Sequence, residues 1–262
     1  MALDIDRYAH VESSWQRWDP RIKIASVGIY IFVVALLNSI PLAITAFVIS
    51  MVMLSRAQLP YEFVKGGVTF VSIFLLPLIF IMPLTYPGEA AFHLLGIPFA
   101  WEGLRLSVII VIKALAIVIT AYAIFGSSRF DVSMIALQRL KCPKIIVQML
   151  LFTYRYIFVL ISEMRRMDTA MSARGFVKKF DMNTLKTMGN FVGTLLVRSF
   201  ERTERIYKAM LSKGYQGEFH TMVVFSSEAK DFVKATLVIA IAIGLLASDL
   251  YGPFPKAELG WF

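Results

Sequence analysis

The chain has 262 residues, of which 58% are apolar, 13% are aromatic and only 17% are charged. Soluble domains carry about 25% charged residues, so this composition excludes an ordinary soluble protein and indicates a multi-pass membrane protein. Lysine and arginine exceed aspartate and glutamate by 9. In membrane proteins such a surplus of positive charge collects in cytoplasmic segments. In a chain so rich in apolar residues, the surplus does not indicate a nucleic-acid partner.

Runs without charged residues predict five membrane-spanning helices, since about 20 apolar residues cross a bilayer as a helix. The uncharged run from Ile24 to Leu54 is too long for one helix, and Asn38–Pro41 interrupts it, which predicts two short spans joined by a tight turn. The five predicted spans cover about 22–38, 41–55, 67–84, 104–125 and 232–250.

Two of these spans carry residues that need an explanation. Pro77 and Pro83 fall inside the third span and predict a kink or an early end. Lys113 falls near the middle of the fourth span. It is either a functional charge within the membrane, or a lysine that faces an aqueous surface or pairs within the helix bundle.

The segment 145–162 is long enough to cross the membrane and is apolar except for Arg155. Basic residues precede it closely, and residues 163–214 after it hold eleven Lys or Arg. Both flanks are therefore candidates for the cytoplasmic side, and a single crossing cannot place both there. We predict that 145–162 packs at the cytoplasmic membrane surface or within a cytoplasmic domain.

This assignment gives a consistent topology, in which the N-terminus is cytoplasmic and the C-terminus lies outside. It divides the chain into an N-terminal segment with four transmembrane helices (1–125), a cytoplasmic domain (126–231), and a last transmembrane helix with a tail (232–262). The predicted fold class is an all-α membrane protein of about five transmembrane helices plus a cytoplasmic domain of amphipathic helices.

A repeat inside the cytoplasmic domain is the most informative motif. Residues 170–176 and 209–215 share the pattern Ala-Met-x-small-basic-Gly-aromatic, 39 residues apart. Each copy closes a charged, helix-favouring stretch, and its glycine stands where a helix cap belongs. Basic-Gly is a common end of a helix, but agreement at six of seven positions in two copies indicates docking to two equivalent partners. The candidate docking residues are Ala173, Arg174, Gly175, Ser212, Lys213 and Gly214.

Between the two copies, Gly189 and Gly193 have the small-xxx-small spacing that lets two helices cross closely. This spacing is common by chance, but it fits two long helices that cross each other.

The paired Ala173-Arg174-Gly175 and Ser212-Lys213-Gly214 resemble the two signatures of the transmembrane (T) component of energy-coupling factor (ECF) transporters, a class of ATP-driven importers. The strings Asp6–His10 and Trp18–Lys23 resemble the entry sequence of the cobalt-type branch, CbiQ. The likeness extends from about residue 5 to 250. One departure is Lys213, where many members have Arg; lysine keeps the charge and loses the bidentate fork.

The resemblance implies a non-catalytic subunit that lies in a bacterial or archaeal cell membrane. Its two motifs would end crossed coupling helices, each docking on one of two cytoplasmic ATP-binding subunits. The subunit would transmit ATP-driven closure to a separate substrate-specific membrane subunit. Cobalt leads as the transported substrate, followed by nickel and by a vitamin such as biotin. The resemblance places the metal on the substrate subunit, so no metal site and no cofactor are expected in this chain.

Other functions find less support in the residues. The chain has no Walker A motif, no nucleophile elbow and no H-E-x-x-H motif, and its three histidines and single Cys142 show no metal-ligand spacing. A polytopic membrane enzyme that acts on anionic lipids is a remote alternative, because the acids are dispersed along the chain. A conventional importer permease would present one coupling segment, and this chain presents two.

Overall fold

The computed structural model describes residues 15–85, 90–94, 97–217, 225 and 227–252. The string Asp6–His10 and the end of the C-terminal tail lie outside the described residues. The chain divides into two compact units. One, here called the membrane unit, contains described residues 15–140, 225 and 227–252; the other, here called the two-helix unit, contains described residues 141–217.

The membrane unit is helical, apart from one hairpin. Its helices are α1 (Pro20–Leu36), α2 (Ile40–Ala57), α3 (Tyr61–Thr85), α4 (Trp101–Phe125), α5 (Phe130–Arg139) and α8 (Ala229–Tyr251). The hairpin between α3 and α4 pairs β1 (Ala90–Leu94) antiparallel with β2 (Ile97–Ala100). The two-helix unit contains α6 (Lys144–Ala173) and α7 (Met182–Ser212).

The predicted spans correspond to α1, α2, α3, α4 and α8. The third is longer than predicted, because α3 begins at Tyr61 and continues through Pro77 and Pro83 without ending early. If the helix ended within the hydrocarbon core, many backbone groups would lose their hydrogen bonds. Continuing through a proline costs less, because a proline removes one backbone hydrogen bond. Helix α5, which follows the predicted boundary at 126, packs against α1 and belongs to the membrane unit.

Of the described helices, five are long and apolar enough to cross a membrane: α2, α3, α4, α6 and α8. Helix α1 is shorter, because its 17 residues extend about 25 Å, against a hydrocarbon core of about 30 Å. Helix α6 qualifies by length and composition, although the charge pattern predicts that 145–162 does not cross. It continues beyond the predicted segment to Ala173.

Helix α1 begins where its sequence supplies a cap. The Asp19 carboxylate accepts the backbone N–H of Arg21 at 2.9 Å, and Pro20 occupies the first helical position. The guanidinium of Arg21 also donates to Asp19, with Nη2 to Oδ2 at 2.7 Å. Burial raises the pKa of the Asp19 carboxyl, but the hydrogen bonds from Arg21 outweigh that effect and lower the pKa overall. The Trp18–Lys23 string is therefore a helix start.

Helices α1 and α8 lie side by side and run in the same direction. Near the start of both helices, the Arg21 guanidinium lies 4.8 Å from the centroid of the Phe225 ring. Near the end of both, Asp249 of α8 accepts hydrogen bonds from Asn38 and Ser39, which follow α1. We call the side where α1 and α8 start the entry end, and the opposite side the far end.

A buried lysine joins three parts of the chain at the entry end. Lys23 is fully buried, and its Nζ donates to the Ser127 hydroxyl at 3.1 Å, to the Ser128 hydroxyl, and to the Trp15 carbonyl at 3.3 Å. These bonds place the end of α4 beside the start of α1. Because α4 and α1 meet in this way, α4 also ends at the entry end.

A second polar cluster closes the far end. Lys113 Nζ donates to the Leu37 carbonyl at 2.6 Å, and the buried carboxylate of Asp249 accepts the Ser39 hydroxyl at 2.5 Å and the Asn38 N–H at 3.2 Å. The lysine within the fourth span therefore pairs inside the bundle. The cluster joins α4 and α8 to the short connection between α1 and α2.

Glycines bring α3 and α4 into close contact at both ends of their antiparallel pair. A Cβ on Gly67 would lie 1.6 Å from the Tyr122 hydroxyl oxygen, and a Cβ on Gly103 would lie 2.7 Å from the Met82 carbonyl oxygen. Neither position leaves room for a side chain. The two helices therefore depend on these glycines to approach each other.

The far-end cluster predicts a specific loss of stability. We expect Lys113→Met to lower the melting temperature of the detergent-purified chain, because the Leu37 carbonyl loses its donor inside the bundle, at a cost of about 1–3 kcal/mol. Lys65→Met removes an exposed lysine from α3 and is the matched control, with little expected change. Equal melting temperatures for the two variants would contradict the structural role of Lys113.

Candidate functional site

The two helices that carry the repeat form an antiparallel pair. The Tyr215 hydroxyl donates to Gln148 Oε1 at 3.4 Å, and Gln148 Nε2 donates to the Gly217 carbonyl at 3.1 Å. The chain after α7 therefore returns to the start of α6. An ion pair between Glu163 and Arg198 joins the two helices farther along.

Each copy of the repeat ends its helix with the same cap. Gly175 has φ of +79° and Gly214 has φ of +82°, in the left-handed region that glycine tolerates best. The N–H of Phe176 donates to the Met171 carbonyl at 3.1 Å. The equivalent N–H of Tyr215 donates at 3.0 Å, to the carbonyl of Met210.

The glycine amides complete the motif in both copies. Gly175 donates to the Ser172 carbonyl and Gly214 to the Leu211 carbonyl, both at 3.0 Å. Together with the bonds from the aromatic residues, these are the two hydrogen bonds of a Schellman motif. The prediction of glycine caps at the ends of both helices is therefore confirmed.

This cap accounts for only part of the repeated pattern. The glycine supplies the left-handed conformation. In this motif a hydrophobic residue after the glycine commonly contacts a residue in the last helical turn, at the position that Met171 and Met210 occupy here. The Schellman hydrogen bonds do not select a cation before the glycine, although the helix dipole favours a cation near a helix C-terminus. They do not select a small residue before the cation either. The recurrence of both residue classes, as Ala173-Arg174 and as Ser212-Lys213, is therefore more than the cap itself requires.

The structure exposes those two positions in both copies. Ala173 and Arg174 at the end of α6, and Ser212 and Lys213 at the end of α7, are all exposed. Within the described residues, neither the Arg174 nor the Lys213 side chain has an ion-pair partner. Each helix end thus presents a small residue and a free cation, beside a glycine that lets another backbone approach closely.

The two docking candidates lie at opposite ends of the helix pair. Lys213 is close to Gln148 at the start of α6, because Tyr215 contacts that residue. Arg174 lies 26 residues farther along α6 than Gln148, a distance of about 39 Å at about 1.5 Å per residue. This separation suits two partner molecules and is too large for one groove.

The structure does not bring a helix against the two crossing candidates. Nothing in the described chain lies within 4 Å of a Cβ added to Gly189 or Gly193. The contact between α6 and α7 is made instead by Glu163 and Arg198. Any helix that uses these glycines must therefore come from outside the described residues.

An exposed apolar stripe on α7 is a candidate surface that sequence reasoning missed. No residue of α7 is buried, and its large apolar residues recur at helical spacing along one side. The helical spacing of these apolar residues is visible in the sequence. Spacing alone predicts an amphipathic helix and does not reveal whether a partner covers its apolar side. The stripe consists of Leu185, Val192, Leu196, Phe200, Tyr207 and Leu211.

Comparison with known proteins adds independent information. The family model CbiQ, described as cobalt transport protein, matches residues 12–223. The chain is 26% identical to the energy-coupling factor transporter transmembrane protein EcfT of Heliobacterium modesticaldum, over 82% of this chain and 85% of the relative. It is 25% identical to EcfT of Streptococcus equi subsp. equi, over 93% and 95%. It is also 26% identical to the cobalt transport protein CbiQ of Rhodobacter capsulatus, over 44% and 46%.

The capping glycines generate a prediction with an internal control. We expect Gly175→Ala and Gly214→Ala each to destabilise its helix end by about 1–2 kcal/mol, because alanine is strained at positive φ. Hydrogen exchange of the Phe176 and Tyr215 amides should then accelerate about tenfold. Gly193→Ala lies in the middle of α7 with open space beside it, and it should stabilise the helix by up to about 1 kcal/mol. Unchanged exchange in the two cap variants would overturn the role of the caps.

Proposed function

Because the chain belongs to the CbiQ family of cobalt transport proteins, we propose that it is the coupling subunit of an ATP-driven importer of the energy-coupling factor type. The observation that carries this proposal is the pair of matching helix ends, each with an exposed small residue and an exposed cation that has no ion-pair partner in the described chain. One ATP-binding subunit docks at Ala173, Arg174 and Gly175. A second docks at the equivalent end of α7.

The chemistry of the docking site follows from its residues. A cation at a partly desolvated contact pairs strongly with a carboxylate, and the adjoining small residue and glycine let the partner approach the backbone. The guanidinium of Arg174 offers a bidentate fork, whereas the ammonium of Lys213 does not. The contact at the end of α6 is therefore the stronger of the two.

The membrane unit supports the orientation. Leu140 and Ser227 line the same groove as Arg21, so the chain leaves and re-enters the membrane unit at the entry end. The interval between them must then cross the membrane an even number of times. Among its described helices only α6 is apolar enough to cross, so we infer that neither α6 nor α7 crosses. Their many basic residues favour a cytoplasmic location for the interval, and we propose on this ground that the N-terminus is cytoplasmic and the C-terminus lies outside.

The apolar stripe of α7 fits the third partner. Membrane subunits bind through apolar helix faces, and the stripe from Leu185 to Leu211 is uncovered in the described chain. We place the substrate-specific membrane subunit on this surface. Motion of the two helix ends with the ATP-binding subunits would then be transmitted along α6 and α7 to that subunit.

Cobalt is the proposed substrate, because relatives carry that name. Nickel and a vitamin such as biotin are the alternatives, since other relatives are named only for the energy-coupling factor. In this proposal the separate substrate subunit binds the metal, ATP hydrolysis belongs to the partner subunits, and this chain needs no cofactor. Among the described residues, no three His, Cys, Asp or Glu side chains are grouped as metal ligands.

Charge reversal tests the docking motifs. We expect Arg174→Glu to reduce co-purification of ATP-binding subunits by at least about 30-fold, the cost of breaking a desolvated charge pair, and Lys213→Glu to have a smaller effect. Lys213→Arg should retain assembly. Lys186→Glu reverses another exposed cation on α7 and should leave assembly unchanged. Full assembly of the Arg174→Glu, Lys213→Glu double variant would refute the proposed role of both motifs.

A change in the stripe separates the two kinds of partner. We expect Phe200→Asp to release the substrate-specific subunit while the ATP-binding subunits remain, because a carboxylate on the stripe cannot be buried against an apolar partner. Thr194→Asp is the control, because Thr194 is exposed on the same helix and lies two residues from both Val192 and Leu196, on a different face from the stripe. The membrane subunit recovered with the wild-type chain is then tested for binding of Co²⁺, Ni²⁺ and biotin. Retention of that subunit by Phe200→Asp would place its contact elsewhere.

A further inference from the structure

A groove opens between α1 and α8 on the membrane unit. It has a volume of about 600 Å³ and is lined by residues of α1 and α8, together with Arg139 and Leu140 at the end of α5. Arg21 and Arg139 supply the charged part of the lining, and Ala25, Ile29, Phe232 and Ile239 supply apolar walls. We call the end of the groove that contains Arg21, at the start of α1, its mouth. The function proposed above does not use this surface.

The length of the groove matches one leaflet of a bilayer. From Arg21 to Ile29 it follows α1 for eight residues, or about 12 Å. Half of the hydrocarbon core is about 15 Å. The groove therefore begins at the entry end, where polar headgroups lie, and ends before the middle of the membrane.

The two arginines at the mouth differ in whether their guanidinium groups already bind a carboxylate. Arg21 uses Nε and Nη2 to bind Asp19, so Nη1 does not take part in that pair. Arg139 is exposed and has no ion-pair partner in the described part of the chain. Two guanidinium groups that line the same groove, one without an ion-pair partner and one with Nη1 outside its pair with Asp19, are suitable contacts for a phosphate group.

The wider surroundings of the mouth are also positive. Leaving out the fully buried Lys23, the adjoining ends of α1, α5 and α8 carry four cations and three carboxylates, a net charge of +1 by 4 − 3. Two of the carboxylates are buried and already hydrogen-bonded, Asp19 to Arg21 and Asp231 within the cap of α8. The groups counted are Arg21, Arg139, Lys230 and Lys234, with Asp19, Glu228 and Asp231.

We infer that this groove is a binding site for one anionic phospholipid of the leaflet at the entry end, with its phosphate at Arg21 and Arg139 and an acyl chain between α1 and α8. Charge complementarity at the mouth selects the headgroup, and the apolar walls accept the chain. Basic pockets between transmembrane helices are known to recognise anionic headgroups in this manner. In the orientation proposed above, that leaflet is the cytoplasmic one.

A second cavity provides a contrast within the same unit. It has a volume of about 290 Å³, lies between α3, α4 and α5, and is lined by residues such as Phe63, Ala121 and Phe125, with no charged side chain. It can accept an apolar chain but lacks a group that distinguishes one headgroup from another. Of these two cavities of the described chain, the groove is therefore the one expected to select a lipid by its charge.

Lipid binding to the full-length chain in a neutral detergent tests the inference. The two probes are palmitoyl-oleoyl phosphatidylglycerol and palmitoyl-oleoyl phosphatidylcholine, titrated separately and followed by native mass spectrometry. We expect the anionic lipid to bind more tightly. Arg139→Gln should reduce that preference about fivefold, the effect of one basic residue near an anionic membrane surface, and Arg139→Lys should largely retain it.

Filling the groove tests its walls. Ala25 is exposed, so Ala25→Trp should fold normally and reduce binding of both lipids at the groove by about tenfold or more. Arg56→Gln removes a cation outside the groove and Ala121→Trp fills the second cavity; both should keep the wild-type preference. Equal binding of the two lipids to the wild-type chain would overturn the inference, as would wild-type affinities in Arg139→Gln and Ala25→Trp. Loss of a membrane protein instead of lipid on Ala25→Trp would show that the groove is a protein interface.

Discussion

The membrane unit depends on two ionisable side chains, Lys23 and Asp249, that are buried at the two ends of α1. Burying such a group is costly unless its hydrogen-bonding capacity is used. Lys23 meets that requirement with two hydroxyls and one carbonyl at the entry end, and Asp249 meets it with Asn38 and Ser39 at the far end. Because these bonds have directions, they fix which helix ends lie together. The parallel course of α1 and α8 and the return of the chain to the entry end follow from them.

The repeated motif shows how structure and function can be separated within one sequence pattern. The Schellman cap explains the glycine, and it accommodates the methionine and the aromatic residue through local geometry alone. Any two helix ends of this type could share those residues. The small residue and the cation are different, because the cap does not need them and the described chain offers the cations no partner. Only these positions in the pattern argue for docking.

Much of the fold could be predicted from the sequence, because segments that cross a membrane form long runs without charged residues. Charge-free runs locate α1, α2, α3, α4 and α8, and basic-Gly signals locate the ends of α6 and α7. The partners of Lys113 could not be predicted, since Leu37 lies 76 residues away and contributes only a backbone carbonyl. The packing of α5 against α1 was hidden for the same reason. Contacts between distant elements leave no periodic signal in the sequence.

The two units are built for different physical tasks. The membrane unit buries polar groups between helices, as where the Tyr30 hydroxyl donates to the Ala46 carbonyl at 2.7 Å and Thr120 donates to Ser50 at 2.9 Å. Breaking such bonds in an apolar environment is costly, which favours one arrangement of these helices. In the two-helix unit, by contrast, α7 has no buried residue and α6 has only Val147. Helices with so little internal burial gain most of their stabilisation from what they bind. In the coupling role proposed above, their arrangement would be governed by the differential affinity of partners for each state.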